Sequence, residues 1–167
     1  GKTIFCQGFS EPGAGSDLAS VRTKARLDPG SGSGAGEWVV EGQKIWTSLA
    51  HISDWIFVVA RSEEGSKGPK GLTFLMMEID QPGIEIRPIK QINGDAEFNE
   101  TFFTDARCPQ DSLIGAVGDG WKIAMGLLAF ERGVSTLGQQ MAFRNELDEL
   151  IAAAQANGAA NNPLIRQ

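Results

Sequence analysis

The residues able to do chemistry in this 167-residue chain gather near its start. In Gln7-Gly8-Phe9-Ser10-Glu11-Pro12-Gly13-Ala14-Gly15-Ser16-Asp17, two glycines let backbone amides approach a phosphate or a planar ring. Ser10 and Ser16 add hydroxyls that both donate and accept. This is the composition of a ligand loop, and equally that of a Gly-rich turn that binds nothing. It is not a Walker loop, because no Gly-Lys-Ser/Thr follows, and it lacks the strand-to-helix context of a dinucleotide fingerprint. A second polar segment, Glu41-Gly42-Gln43-Lys44-Ile45-Trp46-Thr47-Ser48, follows one hairpin later. His51 is the single histidine, and Cys6 and Cys108 are the two cysteines, so no metal-ligand cluster and no disulfide framework is expected. A lone histidine in a strand-rich region reads as structural or exposed, and Cys6 as a buried, inert thiol.

The elements that must position these groups change character near Gly115. Up to that point the chain alternates short extended segments with turn residues, about eight strands in all, the pattern of a mainly β sandwich or barrel. Val21–Leu27 alternates apolar and polar residues, and the turn-formers of 28–36 join it to Glu37–Val40 as a hairpin with a mobile tip. Trp55–Ala60 and Leu72–Ile79 are continuous apolar runs and should be buried central strands. Further strands are expected at Ile84–Arg87 and Phe98–Phe103, where alternation is read as placing Phe102 in the core and Phe103 against a neighbouring domain. Beyond Gly115, Ile123, Leu127, Phe130, Val134, Leu137 and Met141 recur at spacings of three and four, one face of a long helix. Asp119 is its expected N-cap, and Asn157-Gly158 its stop. Such a helix cannot bury its stripe against itself and is expected to belong to a truncated helical-bundle domain.

Composition narrows the classes. A net charge of -6, with Lys and Arg scattered along the chain, disfavours nonspecific nucleic-acid binding. No apolar run approaches the about 20 residues of a membrane span, and the first residues lack a charged n-region followed by an apolar h-region. The expectation is a soluble, intracellular, cytoplasmic protein without membrane insertion. The abrupt start at Gly1 reads as a piece cut from something larger.

The order and spacing of the two polar segments resemble the acyl-CoA dehydrogenase family. The first carries the Glu-Pro-x-x-Gly-Ser-Asp core, and the second the Gly-x-Lys-x-apolar pattern with Trp46 before the hydroxyl residues. The resemblance implies a flavin-binding middle β domain over residues 1–115 and the start of a C-terminal helical domain over 116–167. It implies FAD as cofactor, with Gln7, Gly8, Ser10, Gly15, Trp46, Thr47 and Ser48 lining it. Ser10 would stand at the pyrimidine side of the ring, Trp46 would pack on the isoalloxazine, and Ser48 would approach flavin N5. Ser16 would contact the pantetheine of an acyl-CoA. Donors at those ring positions suit the chemistry, because they stabilise the electron-rich ring that hydride transfer creates. Two departures stand out: Gln7-Gly8-Phe9-Ser10 replaces aromatic-Cys-apolar-Thr, and Leu49-Ala50-His51 replaces a common Asn-Gly pair.

The same resemblance locates a base. In the isovaleryl and long-chain branches, a glutamate immediately before an arginine on the first long helix removes the substrate α-proton, and Glu131-Arg132 stands at that place. Helical geometry puts Glu131 roughly 80° from the centre of the apolar stripe, at the rim of a face expected to be buried, where desolvation would strengthen it as a base. The other reading is a solvated or ion-paired helix glutamate. The reaction implied is oxidation of an acyl-CoA to the 2,3-enoyl-CoA, with electrons leaving to an electron-transfer flavoprotein, in a homotetramer or a heterotetramer of paired subunits. The isolated chain is expected to be inactive and to hold FAD weakly. Three alternatives stay open: a noncatalytic partner subunit, a flavin monooxygenase or nitroalkane oxidase of the same fold, and a β-rich binding module without flavin.

Overall fold

The computed structural model describes residues 1–30 and 36–165; the side chains of Val134 and Ser135 also fall outside that description. The chain forms two compact units, Gly1–Met125 and Gly126–Gln167.

The first unit is built on an eight-stranded sheet of β1 (Phe5–Gly8), β2 (Lys24–Asp28), β3 (Glu37–Lys44), β4 (Trp55–Arg61), β5 (Leu72–Glu78), β6 (Ile84–Ile89), β7 (Phe98–Pro109) and β8 (Leu113–Ile114). Its order is β6-β7-β3-β2-β4-β5-β8, and β1 pairs in parallel with β4. β2 and β3 form the expected antiparallel hairpin, closing at Asp28 opposite Glu37. The tip expected to be mobile, residues 31–35, lies outside the described residues. β2 begins three residues later than its alternating pattern, after a 3-10 turn at Leu18–Ser20. The two-residue β8, pairing with β5, was too short to leave a period of its own.

The apolar runs lie where continuous hydrophobicity is required. In β4, Ile56, Val58 and Ala60 join Trp38, Val40, Leu75, Met77 and Cys108 in the core. On the opposite face Phe57 stacks on Phe74 at 5.6 Å, with Phe9 set edge-on to both. Both faces of β4 and β5 are therefore covered, and neither strand has a polar side to alternate.

The expected phase of β7 is reversed. Phe103 is 2% exposed and in the core, whereas Phe102 is half-buried beneath the Arg87 guanidinium, 4.4 Å from its ring centroid. The inward positions of this half-strand are Asn99, Thr101 and Phe103, two of them polar, so hydrophobicity points to the wrong face. Asp105, at φ +54°, then adds a residue to β7 where its register with β3 shifts between Val40 and Gly42. That bulge returns Ala106 and Cys108 to the same interior.

The long helix α1 spans Gly120–Ala156. Asp119 caps it by position: its carbonyl accepts the Ile123 amide at 3.0 Å, while its carboxylate turns back to the Ala116 amide at 3.2 Å. Gly158, left-handed at φ +78°, closes the far end as expected. In the second unit, Phe130, Leu137 and Met141 are 74%, 66% and 66% exposed. The Val134 side chain of the same stripe lies outside the described residues. Among the described residues no helix is long and apolar enough to cross a membrane.

Candidate functional site

The first polar segment leaves β1 at Gly8 and folds into a tight loop. Gln7 and Gly8 lie opposite Phe57 and Val58 of β4, and Glu11 and Ala14 exchange two backbone hydrogen bonds of 3.0 Å around Pro12-Gly13. A Cβ added at Gly13 or Gly15 would meet no atom within 4 Å, and neither has a positive φ. Packing within the chain thus demands neither glycine, and both leave open backbone facing outward. Ser10 is half-buried, and Ser16 is exposed.

One buried ion pair joins this loop to the second segment. Glu11 is 8% exposed and Lys44 is fully buried, with Nζ 2.9 Å from Glu11 Oε1 and donating also to the Phe9 carbonyl at 2.9 Å. The Glu11 carboxylate takes the amides of Arg22 (2.6 Å) and Thr23 (2.9 Å) as well. Burial pushes the Lys44 ammonium down to about 8 even though the Glu11 charge supports it. Burial alone would raise Glu11, but Lys44 and the donated hydrogen bonds outweigh it and hold the carboxyl below its ordinary value. The Ile45 amide donates to the Ser10 carbonyl at 2.9 Å, so two segments distant in sequence become one wall.

Beyond Lys44 the chain stops following β7 residue for residue. Trp46 adopts φ +62° and Leu49 φ +60°, both left-handed, and between them Thr47 is buried and Ser48 exposed. The Trp46 indole, 56% exposed, stands edge-on to Phe98 at 6.0 Å and offers a planar apolar face beside the loop. The Thr47 hydroxyl is buried, with no hydrogen-bond partner among the described residues. His51 is exposed, its Nδ1 3.2 Å from Asn99 Nδ2.

The structure thus joins the two segments at Ser10–Ile45, Phe9–Lys44 and Glu11–Lys44, all in the first unit, which also holds Gln7, Gly8, Gly15, Ser16, Trp46, Thr47 and Ser48. Glu131 lies on α1 in the second unit and is exposed, so the partial burial expected for it is absent here. Of the stripe beside it, Leu127 is half-buried, whereas Phe130, Leu137 and Met141 are exposed. Sequence reading passed over Glu11, Lys44 and Asn99. The signal for Lys44 was present: it falls on the same strand phase as Trp38 and Val40, and a charge on an inward phase must find a buried partner. β2 and the 61–68 loop frame a groove of about 1100 Å³ of mixed charge, with Arg22, Lys24, Arg26 and Lys67 as well as Glu41, Glu63 and Glu64 among its lining.

A mainly β domain followed by a long helix, with this stapled pair of loops, defines a class: the chain belongs to the acyl-CoA dehydrogenase family. The family model described as acyl-CoA dehydrogenase, middle domain, matches residues 6–106. Among curated proteins it is 57% identical over 164 residues to acyl-CoA dehydrogenase IpdE1 of Mycobacterium tuberculosis, covering 98% of this chain and 41% of that protein. It is 45% identical to acyl-CoA dehydrogenase FadE34 of the same organism, over 90% of this chain and 20% of that one. Among solved structures, the Tcur3481-Tcur3483 steroid ACAD superposes with TM-score 0.79 at 32% identity, over 98% of this chain and 41% of that one. The ChsE4-ChsE5 complex from Mycobacterium tuberculosis gives TM-score 0.65 at 31% identity, over 76% and 31%. The chain spans about two fifths of the length of its IpdE1 relatives.

Proposed function

We propose that this chain is the flavin-binding portion of an FAD-dependent enzyme that oxidises an acyl-CoA to the 2,3-enoyl-CoA. The observation that carries the reading is Trp46: a bulky residue in left-handed backbone, more than half exposed, next in the chain to Ile45, whose amide binds the Ser10 carbonyl of the loop. A non-glycine residue held in left-handed backbone is strained, and such strain clusters at ligand clamps and active sites. These residues fit a planar cofactor: Trp46 supplies a stacking wall, Ser10 and Ser48 hydroxyl donors, and Gly15 close backbone approach. FAD, when bound, supplies the two-electron acceptor for the β-hydrogen. Ser16 contacts the pantetheine, and Glu131 takes the α-proton. In this reading the domains divide at residues 1–115 and 116–167, the assembly is a tetramer of like or unlike subunits, and an electron-transfer flavoprotein accepts the electrons.

The test uses the full-length protein. It should purify yellow, keep its flavin absorption through desalting, and bleach anaerobically on addition of an acyl-CoA. Glu131→Gln should retain the flavin and lose the bleaching. A colourless protein sinks the flavin reading. Flavin that no acyl-CoA reduces points to the monooxygenase and nitroalkane oxidase relatives, and unchanged turnover in Glu131→Gln removes that residue from the chemistry.

A further inference from the structure

We infer that Asn99, a residue of β7 with no assigned role, is a positioning residue that sets Trp46 and Ser48 by gripping the peptide between them; its consequence for flavin rests on the reading above. β3 ends with Lys44 opposite Thr101. Had that register continued, Trp46 would face Asn99. Instead the Thr47 amide donates to the Asn99 carbonyl at 3.0 Å, and the Leu49 amide to the Glu97 carbonyl at 2.8 Å. One extra residue has therefore entered on the β3 side, and Trp46 at φ +62° absorbs it. A bulky residue holds such a backbone only where its surroundings fix it.

Asn99 does the fixing from both sides. Its carbonyl receives the Thr47 amide, and its Nδ2 donates to the Thr47 carbonyl at 2.9 Å and to the Glu97 carbonyl at 3.1 Å. The side chain is fully buried, and the two carbonyls settle which way its amide points. Its Oδ1 is left without a partner among the described residues. A buried amide oxygen without a partner is poor value as packing, since an apolar side chain would fill the site without that cost. The residue type matches the task. Aspartate would set a carboxylate against two carbonyl oxygens, and alanine would take the side-chain donor from the Thr47 carbonyl, while the Glu97 carbonyl would keep the Leu49 amide.

The experiment compares Asn99→Asp, Asn99→Ala and Asn99→Ser in the full-length enzyme with Thr101→Val, a control on the same strand and the same buried face. Two readouts are taken: hydrogen exchange of a peptide covering residues 45–50, and the FAD dissociation constant with its visible spectrum. Asn99→Asp and Asn99→Ala should speed exchange across 45–50, weaken FAD at least about tenfold and shift the flavin bands. Asn99→Ser, which keeps one donor, should fall between them and the wild type, and Thr101→Val should change neither readout. Unchanged exchange in all three Asn99 variants overturns the clamp, whatever the flavin does. Faster exchange with unaltered FAD binding and spectrum overturns the step from clamp to cofactor, as does an equal flavin shift in Thr101→Val. A wild type that holds no flavin refutes the functional reading and the step to the cofactor, while the exchange data still decide the clamp.

Discussion

Lys44→Met in the full-length enzyme probes the ion pair that joins the two loops. An ammonium whose pKa falls from 10.5 to about 8 is held in the fold at a cost of about 3 kcal/mol at neutral pH. Methionine removes that cost, but it strands Glu11 at 8% exposure with only the Arg22 and Thr23 amides for company. With the relief of the departing charge already counted, removing one partner of a buried pair costs about 3–5 kcal/mol net, because the remaining charge keeps its desolvation and loses its compensation. The expected net loss is therefore about 3 kcal/mol at pH 7, read by chemical denaturation followed through tryptophan fluorescence. Glu11→Gln/Lys44→Met, with no buried charge left, should be more stable than Lys44→Met alone. The pH dependence has a definite sign. Between about 8 and 10.5 the unfolded chain binds more protons at Lys44 than the folded one, so this group makes the wild type gain stability as pH rises through that window. Lys44→Met lacks that gain, and its deficit should widen from pH 8 to pH 10. A single variant within about 1 kcal/mol of wild type, or a deficit flat in pH, would refute the reasoning.

Trp46→Gly should separate stability from binding. Glycine relieves about 1 kcal/mol of left-handed strain, and the indole is already 56% exposed, so stability should stay within about 1 kcal/mol of wild type while FAD affinity falls at least about tenfold. A destabilisation beyond about 2 kcal/mol would show the ring to be structural. Gly83→Ala should cost at least about 2 kcal/mol, because at φ +87° its Cβ would sit within 2.4 Å of the Thr104 carbonyl oxygen; Gly94→Ala, at φ +94° but in open space, should cost about 1 kcal/mol. Equal shifts in their denaturation midpoints would sink the steric argument. Burial pushes the Cys6 thiol up to about 11 and Cys108 to about 12, so peptide mapping after iodoacetamide treatment at pH 8 should find both unmodified until denaturant is added. Alkylation of either thiol in the native protein contradicts their burial.

The sheet was legible wherever hydrophobic pattern and burial coincide. β4 and β5 announce themselves as continuous apolar runs because both of their faces are covered, and α1 is plain from its spacing and its stop at Gly158. β7 was misread at Phe102 and Phe103 for the converse reason: its inward phase carries Asn99 and Thr101, chosen for hydrogen bonding and not for transfer free energy. The motifs themselves were legible by type. That Glu11 reaches Lys44 was not, since the pairing depends on Lys44 occupying an inward phase and on the loop turning back at Pro12-Gly13, and neither is local in sequence.

These hidden groups share one physical task. The β3–β7 ladder carries two bulges on opposite strands, at Asp105 and at Trp46, each a non-glycine residue with positive φ. The first shifts the register by one residue, and the second shifts it back. Between them only Gly42, Gln43 and Lys44 pair with β7 in the shifted register. That short stretch directs Lys44 inward to the loop carboxylate, and the bulge just past its end delivers Trp46 outward. Neither outcome is stable alone: a buried ammonium needs Glu11, and a left-handed tryptophan needs the Asn99 grip on the next peptide. Because Ile45 also bonds to Ser10, loosening either anchor should move both walls of the site together. Lys44→Met and Asn99→Ala should therefore be non-additive in FAD affinity, and strictly additive losses would show the two anchors acting on separate walls.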